Sequence, residues 1–428
     1  MSEPPELDDK PLLPPDRRTP PRGAMLTIFL IVLSDLLGFG VIIPLLPFWA
    51  RKYHASDFQV GLLFSVYSVC QLVGSPVLGI LSDRFGRRPV LLFSQVGSVL
   101  GFLLLGYSTH GDWSAAPALG LSLVYLSRVI DGLSGGNIST AQAYVSDVTT
   151  KENRAKGMGL LGAAFGIGFS IGPALGGLLG EPPHESYPAF AAAFFSGVAA
   201  LGTYFFLPES REHQESEAEA LLHPSQFRPI LANGALVQML LIFFISMAAF
   251  VMMESTFAMF LNDTFGYTAR KVGWFFALAG LVIIIVQGGL VGRLSKLLGE
   301  WALVIIGPLL VTVAMMTFAG VGVRPLVALL LVGVIFNATG RSLQTPALSA
   351  LISHTAGPEM QGRVFGLFHM LGSLARVLGP LVATAAYTHH HTAPYLIAAG
   401  LTLAIALWSV ALRGQTKVEP QGVAVAAE

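Results

Sequence analysis

Six ionisable residues interrupt the long apolar runs of this 428-residue chain. In the middle of a lipid bilayer such a side chain costs about 2.5–3.5 kcal/mol on insertion scales, so each one requires a reason. One reason is pairing inside the protein, and another is the binding of protons or of a charged small molecule in an internal cavity. The six are three acids and three bases: Asp35, Asp131, Glu254, Arg128, Arg341 and Arg376.

Asp35 is the leading candidate for a carboxylate that binds a proton or a substrate. It lies beside Gly38 and Gly40, which allow close neighbours, and Pro44 and Pro47 bend the helix beyond it. A carboxylate enclosed in this way suits reversible protonation near neutral pH. The alternative is structural, with Asp35 capping the backbone of the broken helix.

Arg128 and Asp131 are three residues apart, a spacing that places both on one face of a helix. A positive charge within about 4–6 Å of a carboxylate favours release of its proton, so Arg128 is a candidate for tuning proton binding. Pairing for stability alone is the competing interpretation. The same face meets a cavity or another helix and not lipid, because it continues through Gly132, Gly135, Ser139, Gln142 and Ser146.

Glu254 lies in a stretch that is dense in phenylalanine and methionine, side chains that usually serve packing. A carboxylate among aromatic rings would also suit a lipophilic cation, whereas Arg341 and Arg376 favour an anionic or zwitterionic molecule. The candidate proton-coupling residues are Asp35, Arg128, Asp131 and Glu254. The candidate substrate-binding residues are Asp35, Gln142, Phe165, Phe169, Phe250, Glu254, Phe257, Asn337, Arg341 and Arg376.

The composition is that of a lipid-embedded protein, with 53% hydrophobic and 12% charged residues and a mean hydropathy of +0.67. A net charge of zero gives no basis for nucleic-acid binding. The single cysteine, Cys70, rules out an intramolecular disulfide, and the adjacent histidines 389–391 do not share a helical face, so no metal site is expected. The sequence contains no P-loop, nucleophile elbow or zinc spacing, which argues against an enzyme, ATP drive or a cofactor.

Twelve segments contain the roughly 20 apolar residues needed to cross about 30 Å of hydrocarbon. Because every backbone amide in lipid needs an internal partner, the spans are predicted to be helices and the chain an all-α membrane protein. The predicted spans cover 24–50, 57–82, 89–108, 117–147, 157–180, 187–207, 231–261, 270–292, 301–322, 325–351, 362–388 and 392–413.

The loops predict the orientation and the domains. Most lysines and arginines outside the spans fall on one side, which places both termini in the cytoplasm. The polar stretch 208–230 is predicted to be a cytoplasmic linker between two six-helix bundles, 24–207 and 231–413. Residues 1–23 are expected to form a disordered cytoplasmic tail and 414–428 a second cytoplasmic tail.

An internal repeat indicates that the two halves are related, as in secondary transporters that rock one bundle against the other. The first half is expected to serve coupling and the second half to have the larger share in substrate selection. The repeated residues, at one constant offset, are Gly159, Gly172 and Pro173 in the fifth span and Gly366, Gly379 and Pro380 in the eleventh.

Four motifs lie in the first half. The first span contains Asp35-Leu36-Leu37-Gly38-Phe39-Gly40, and the turn after the second span contains Gly79-x3-Asp83-Arg84-x-Gly86-Arg87-Arg88. The fourth span contains Arg128-x3-Gly132-x3-Gly136, and the fifth contains Gly159-x8-Gly168-x3-Gly172-Pro173-x2-Gly176-Gly177. Together they resemble the motifs of the major facilitator superfamily, and within it those of the twelve-span drug:proton antiporters that include the tetracycline exporters. The resemblance covers nearly all of the chain after residue 23.

This resemblance implies that the turn between the second and third spans is a conformational latch. Asp83 would meet the N-terminal dipole of the eleventh span, and Arg87 would pair with Asp147. Membrane orientation alone would explain the arginines of the turn but not its carboxylate. The latch residues are Gly79, Asp83, Arg84, Gly86, Arg87, Arg88 and Asp147, and the fifth-span motif that marks antiporters is Gly159, Gly168, Gly172, Pro173, Gly176 and Gly177.

The resemblance further implies a proton-coupled antiporter that exports small amphipathic organic compounds or drugs by alternating access. We expect a monomer in a plasma or inner membrane whose partners are protons, membrane lipids and a small-molecule substrate. Tetracycline is not the expected substrate, because the ninth span lacks the further acid that the tetracycline exporters carry. The alternatives are export of an endogenous lipid or anionic metabolite, and a membrane sensor that does not transport.

Overall fold

A computed structural model of the chain describes residues 23–150, 153–181, 183–210, 228–357 and 360–415. Most of the first tail, most of the linker and most of the last tail therefore lie outside the described residues. Within the described residues the regular elements are all helices, and eleven helices are long and apolar enough to cross a membrane. The predicted all-α membrane fold is confirmed, and we keep the predicted span numbers below.

The first six spans consist of eight helices. Their bounds are Ala24–Ile42 and Leu46–Lys52 (span 1), Asp57–Phe85, Arg87–His110, Pro117–Ser134 and Asn137–Val148 (span 4), Arg154–Leu179 and Tyr187–Phe206. The second half begins with the short helix Arg228–Ala232. Spans 7 to 12 follow as Gly234–Phe265, Ala269–Ile285 continued through a π-helical turn into Val291–Leu298, Glu300–Val323, Val327–Ala356, Gln361–His389 and Ala393–Gln415.

Span 4 differs from the prediction of one continuous helix over 117–147, which is wrong. The helix stops at Ser134 and resumes at Asn137, because Gly135 and Gly136 hold the helical conformation poorly. Such a break inside a membrane requires partners for the freed carbonyl groups. Gln71 Nε2 donates to the Gly135 carbonyl at 3.0 Å, and the Ser94 hydroxyl donates to the Ser134 carbonyl.

The two halves share the same turn at equivalent places. Gly86 between spans 2 and 3 has φ +100° and ψ 157°, and Gly299 between spans 8 and 9 has φ +80° and ψ 159°. Residues with a Cβ rarely adopt such a positive φ, so each turn requires glycine. This repeated geometry agrees with the internal repeat in the sequence.

The buried apolar side chains reveal which end of the molecule is closed. Toward the loops that are predicted to be external, one cluster contains residues of both halves, among them Trp49 and Phe102 of the first and Phe260 and Tyr395 of the second. Toward the opposite end each half has a cluster of its own, with Tyr144 in the first and Ile352 in the second. The halves are therefore packed together at one end and separately packed at the other.

Candidate functional site

Asp35 lies in the first half at the centre of a polar network. Gln95 Nε2 of span 3 donates to Asp35 Oδ1 at 3.1 Å, and the Ser34 hydroxyl donates to Gln95 Oε1 at 3.4 Å. Asp35 Oδ2 is buried without a hydrogen-bond partner. Asn137, the first residue after the break in span 4, lies beside the same carboxylate but outside hydrogen-bond geometry. One oxygen is thus held in place, and the other can bind a proton without breaking a hydrogen bond.

Arg128 and Asp131 form the expected ion pair, with 3.2 Å between Nη1 and Oδ2. Both side chains are buried, with exposed fractions of 2% and 5%. The guanidinium group also lies 5.9 Å from the Phe102 ring and 6.0 Å from the Tyr67 ring. The pair is neutral as a whole, which leaves Asp35 as the remaining acid of this cluster.

The second half contributes Glu254, Arg341 and Arg376. The carboxylate of Glu254 lies close enough to both guanidinium groups to be influenced by their charges. The Arg341 guanidinium lies 3.6 Å from the centroid of the Phe250 ring, and its Nη2 donates to the Met247 sulfur at 3.2 Å. Span 11 places Arg376 against the first half, 5.7 Å from the Phe39 ring and 6.0 Å from the Phe169 ring.

In this conformation Phe257 packs in the core shared by the two halves, and its part in substrate binding stays a prediction. Its side chain is 3% exposed and packs on Phe276 and Phe318 at ring distances of 5.5 Å and 5.4 Å. The spacing of aromatic residues did not reveal that this helix face points into the shared core. The side chain of Phe165 lies outside the described residues.

Gln142 and Asn337 remain candidate substrate-binding residues, and they differ in how deeply they are buried. Gln142 is half-buried on the helix after the break in span 4. Asn337 is buried, and its Oδ1 has no hydrogen-bond partner among the described residues. A buried, unsatisfied amide oxygen is costly, which is consistent with a position that meets water or substrate.

The turn between spans 2 and 3 contains one of the two contacts that the resemblance implied. Arg87 Nε lies 3.1 Å from Asp147 Oδ2 at the end of span 4. Arg87 also binds Asp83 at 2.7 Å and the Ser82 hydroxyl at 2.6 Å, so Asp83 is engaged within its own half. Its contact with the start of span 11 remains a prediction, and in this conformation Gly79 has open space where a Cβ would stand.

We predict that Asp83→Asn leaves the membrane topology intact and lowers transport roughly threefold to tenfold, as expected for losing about 1 kcal/mol from a partly exposed ion pair. The measurement is substrate uptake together with the accessibility of the loops from each side. Asp83→Glu keeps the charge and should retain more activity. Full transport in the Asn variant would show that the carboxylate has no role in the transport cycle.

Glu209, the first charged residue of the linker, caps span 3. Its carboxylate accepts from the backbone N–H of Arg87 at 2.8 Å and of Arg88 at 3.1 Å. A negative charge at a helix N-terminus satisfies unpaired N–H groups and the helix dipole. Gly86 leaves room for this carboxylate, since a Cβ there would lie 2.5 Å from Glu209 Oε2.

Glu209→Ala is expected to destabilise the protein by about 0.5–1 kcal/mol, because it removes a helix cap. Gly86→Ala should cost more, since it forces a positive φ on alanine and also displaces the carboxylate. The midpoint of thermal unfolding of the purified protein measures both effects, with Arg293→Ala, which replaces an exposed arginine in the second half, as the control. Equal midpoints for all four proteins would contradict the capping role.

The fifth-span motif forms packing surfaces. A Cβ at Gly168 would lie 2.5 Å from Leu36, and one at Gly172 would lie 2.9 Å from Gly40, so span 5 packs closely on span 1. Gly177 faces the second half, where a Cβ would lie 2.6 Å from Gly273. Gly176 lies against the Val41 backbone, Gly40 lies against Pro173, and a Cβ at Gly159 would meet no atom within 4 Å.

The closed end contains ion pairs between the halves. Arg51 binds both oxygens of Asp263, at 2.6 Å and 2.9 Å, and also Asp57 at 2.9 Å. The Tyr387 hydroxyl donates to Asp263 Oδ2 at 2.8 Å. A second link joins Glu181 to Arg270 at 2.9 Å.

Several of these residues were not among the sequence-based candidates. Gln95 and Asn137 touch or flank Asp35, and Tyr67 lies in electrostatic contact with charged groups of both halves. The available signal was their polarity within apolar spans, but these side chains are uncharged and therefore less costly in lipid than the six ionisable residues. Arg51 and Asp263 lie at span ends, where charged residues are ordinary, so the sequence held no signal for their pairing.

Fold and motifs together define the class of protein. The sequence model of the Major Facilitator Superfamily matches residues 28–380 and, in an overlapping match, 325–426. The chain therefore belongs to the Major Facilitator Superfamily, a group of multi-pass membrane transporters and not of enzymes.

Several similar proteins are named for drug resistance. The class C tetracycline resistance protein of Escherichia coli is 31% identical over 374 residues, covering 85% of this chain and 90% of the relative. Multidrug resistance protein 2 of Bacillus subtilis (strain 168) is 30% identical over 391 residues, covering 87% and 92%. The crystal structure of the human organic anion transporter MFSD10 has a TM-score of 0.66 at 27% identity and covers 93% of this chain and 100% of that one.

Proposed function

We propose that the protein is a proton-coupled secondary active transporter that exports small amphipathic organic compounds by antiport. The observation that carries this proposal is the Asp35 carboxylate, of which one oxygen is fixed by Gln95 and the other is buried without a partner. Such a group can bind and release one proton per cycle. The relatedness to tetracycline and multidrug resistance proteins supports the same direction of transport.

Alternating access provides the mechanism. The described conformation is closed at the end held by Arg51 and Asp263, and the halves are separately packed at the end of the Asp83 turn. Substrate would enter from that open side, which the positive-inside rule assigns to the cytoplasm. Proton binding at Asp35 and substrate binding near Arg376 would then favour different conformations.

Everted membrane vesicles with an imposed pH gradient test this function. Fluorescent or tritiated organic compounds should accumulate inside when the interior is acidic, and a protonophore that dissipates the gradient should abolish the accumulation. Vesicles that lack the protein are the control. Accumulation that is the same with and without the pH gradient would exclude proton coupling. We expect no bound cofactor to be required.

A second candidate is export of an endogenous lipid or anionic metabolite. Arg341 and Arg376 favour it, because their positive charges would attract an anion. Both guanidinium groups lie beside aromatic rings, which suit the apolar part of such a molecule. The relative of known structure that is described as an organic anion transporter supports the same class of substrate. Uptake of anionic compounds, compared with uptake of cationic dyes into the same vesicles, distinguishes the two candidate functions.

A further inference from the structure

We propose that Glu254, Arg341 and Arg376 form a charge-selective subsite that binds a small organic monoanion with an aromatic body. This inference rests on the proposed function, since it names the class of substrate that the transporter accepts. Ala375, the neighbour of Arg376, packs in one cluster with Met247 and Phe250, the two side chains that contact Arg341. Glu254 lies close enough to both guanidinium groups to be influenced by their charges. One negative and two positive charges leave a surplus of one positive charge. His369, which also lies beside Arg376, adds to that surplus only when it is protonated.

Neither arginine is engaged by an acid. Within the described part of the chain, no carboxylate oxygen lies within 4.0 Å of the Arg341 or Arg376 guanidinium group. The contacts of Arg341 are the Phe250 ring and the Met247 sulfur, and a thioether is a weak acceptor. An anionic oxygen is a better partner for a guanidinium group than either of these, so a bound anion would replace them at a gain.

The first half supplies an aromatic wall for the rest of the ligand. Arg376 faces Phe39 and Phe169, whose ring centroids are 5.9 Å apart at an angle of 69°. Tyr67 continues this wall, 5.3 Å from Phe39. A ligand whose anionic group binds Arg376 would place its apolar body against these rings, where aromatic contacts are favourable. The ligand would then touch both halves, as alternating access requires.

The surroundings do not cancel the surplus charge. Arg128 and Asp131 neutralise each other at 3.2 Å, so only Asp35 of the first half opposes it. The charged groups that act on Glu254 and Arg341 belong to the second half, whereas Asp35 is held in the first half by its hydrogen bond from Gln95. A monoanion would therefore be attracted by the second half, and a cation would be repelled by two guanidinium groups while attracted by one carboxylate.

Three probes of one shape test the subsite: 2-naphthoate, neutral 2-naphthamide and the 2-naphthylmethylammonium cation. Equilibrium binding to the purified, lipid-reconstituted full chain is measured without a proton gradient, so a failure of proton coupling would not affect the result. We expect the wild type to bind naphthoate about tenfold or more tighter than the ammonium probe, because charge-assisted hydrogen bonds dominate such discrimination.

Variants that each change one charge should alter this preference for the anionic probe in opposite directions, depending on the sign of the charge that is removed. Arg376→Gln should weaken naphthoate about tenfold and leave naphthamide nearly unchanged, whereas Glu254→Gln should tighten naphthoate and weaken the ammonium probe. Arg376→Lys keeps the charge and should keep the preference for the anion. Arg293→Gln, an exposed arginine outside the site, is the matched control and should leave all three affinities unchanged.

The contrary results are equally clear. A wild type that prefers the ammonium probe, or that binds none of the three, would overturn the assignment. So would equal losses of all three probes in a folded, monodisperse Arg376→Gln protein, because that pattern indicates a change of shape and not of charge selection.

Discussion

Replacing Asp35 by asparagine should lower gradient-driven accumulation about tenfold or more, while exchange of substrate at equal pH on both sides continues. Coupling free energies between two ligands of one protein are typically about 1–3 kcal/mol, or about 5- to 150-fold in affinity. Asparagine keeps an oxygen to accept the hydrogen bond from Gln95 but cannot take up a proton. The variant should therefore bind substrate and still be uncoupled from the pH gradient.

The assay is uptake into everted vesicles with and without the imposed gradient. Asp112→Asn is the matched control, because Asp112 is an exposed aspartate in the loop after span 3. Accumulation in Asp35→Asn that equals the wild type would remove Asp35 from the proton pathway, and Glu254 would then be the next acid to test.

The second large effect concerns the contact between Arg51 and Asp263. Charge-assisted hydrogen bonds contribute about 1.5–3 kcal/mol each, so Asp263→Asn should shift the equilibrium about 10- to 100-fold toward an outward-open conformation. The two side chains lie at the surface with exposed fractions of 27% and 21%, so solvent screens the contact in part. The pair contributes to keeping this end closed, and its loss should open it.

Labelling of an introduced cysteine reports the opening. Leu63 is fully buried in the cluster shared by the two halves, so Leu63→Cys in a Cys70→Ser background should react slowly with a membrane-impermeant thiol reagent. Asp263→Asn or Arg51→Gln should accelerate the reaction, and the double variant should add little more, since both remove the same contact.

Lys52→Gln is the matched control, because it breaks an ion pair of 2.8 Å with Glu185 inside the first half. An equal acceleration by this control would mean that the surface charge and not the contact between the halves governs access.

The sequence was sufficient for features that depend on local spacing. Apolar runs predicted the spans, and the separation of Arg128 and Asp131 predicted their pairing. The break in span 4 was missed although Gly135 and Gly136 lie side by side, because the apolar run continues through them. The packing of Phe257 in the shared core was not predicted, because the direction of a side chain depends on how a helix is rotated against its neighbours.

Contacts between distant parts of the chain could not be derived in this way. Arg51 and Asp263 are 212 residues apart, and Arg87 and Glu209 are 122 apart. Many acids and bases occupy loops, and no local pattern selects one partner among them. The contact between Arg87 and Asp147 came from resemblance to a family, because only known relatives connected the two positions.

The cap that Glu209 forms on span 3 has a consequence for engineering. A transporter of two halves can be encoded as two separate polypeptides that are divided in the linker between the halves. Here a division before Glu209 would give the carboxylate to the wrong fragment and leave the N–H groups of Arg87 and Arg88 without it. A division after Ser210 keeps the cap with the helix that it serves, so the gene should be split there.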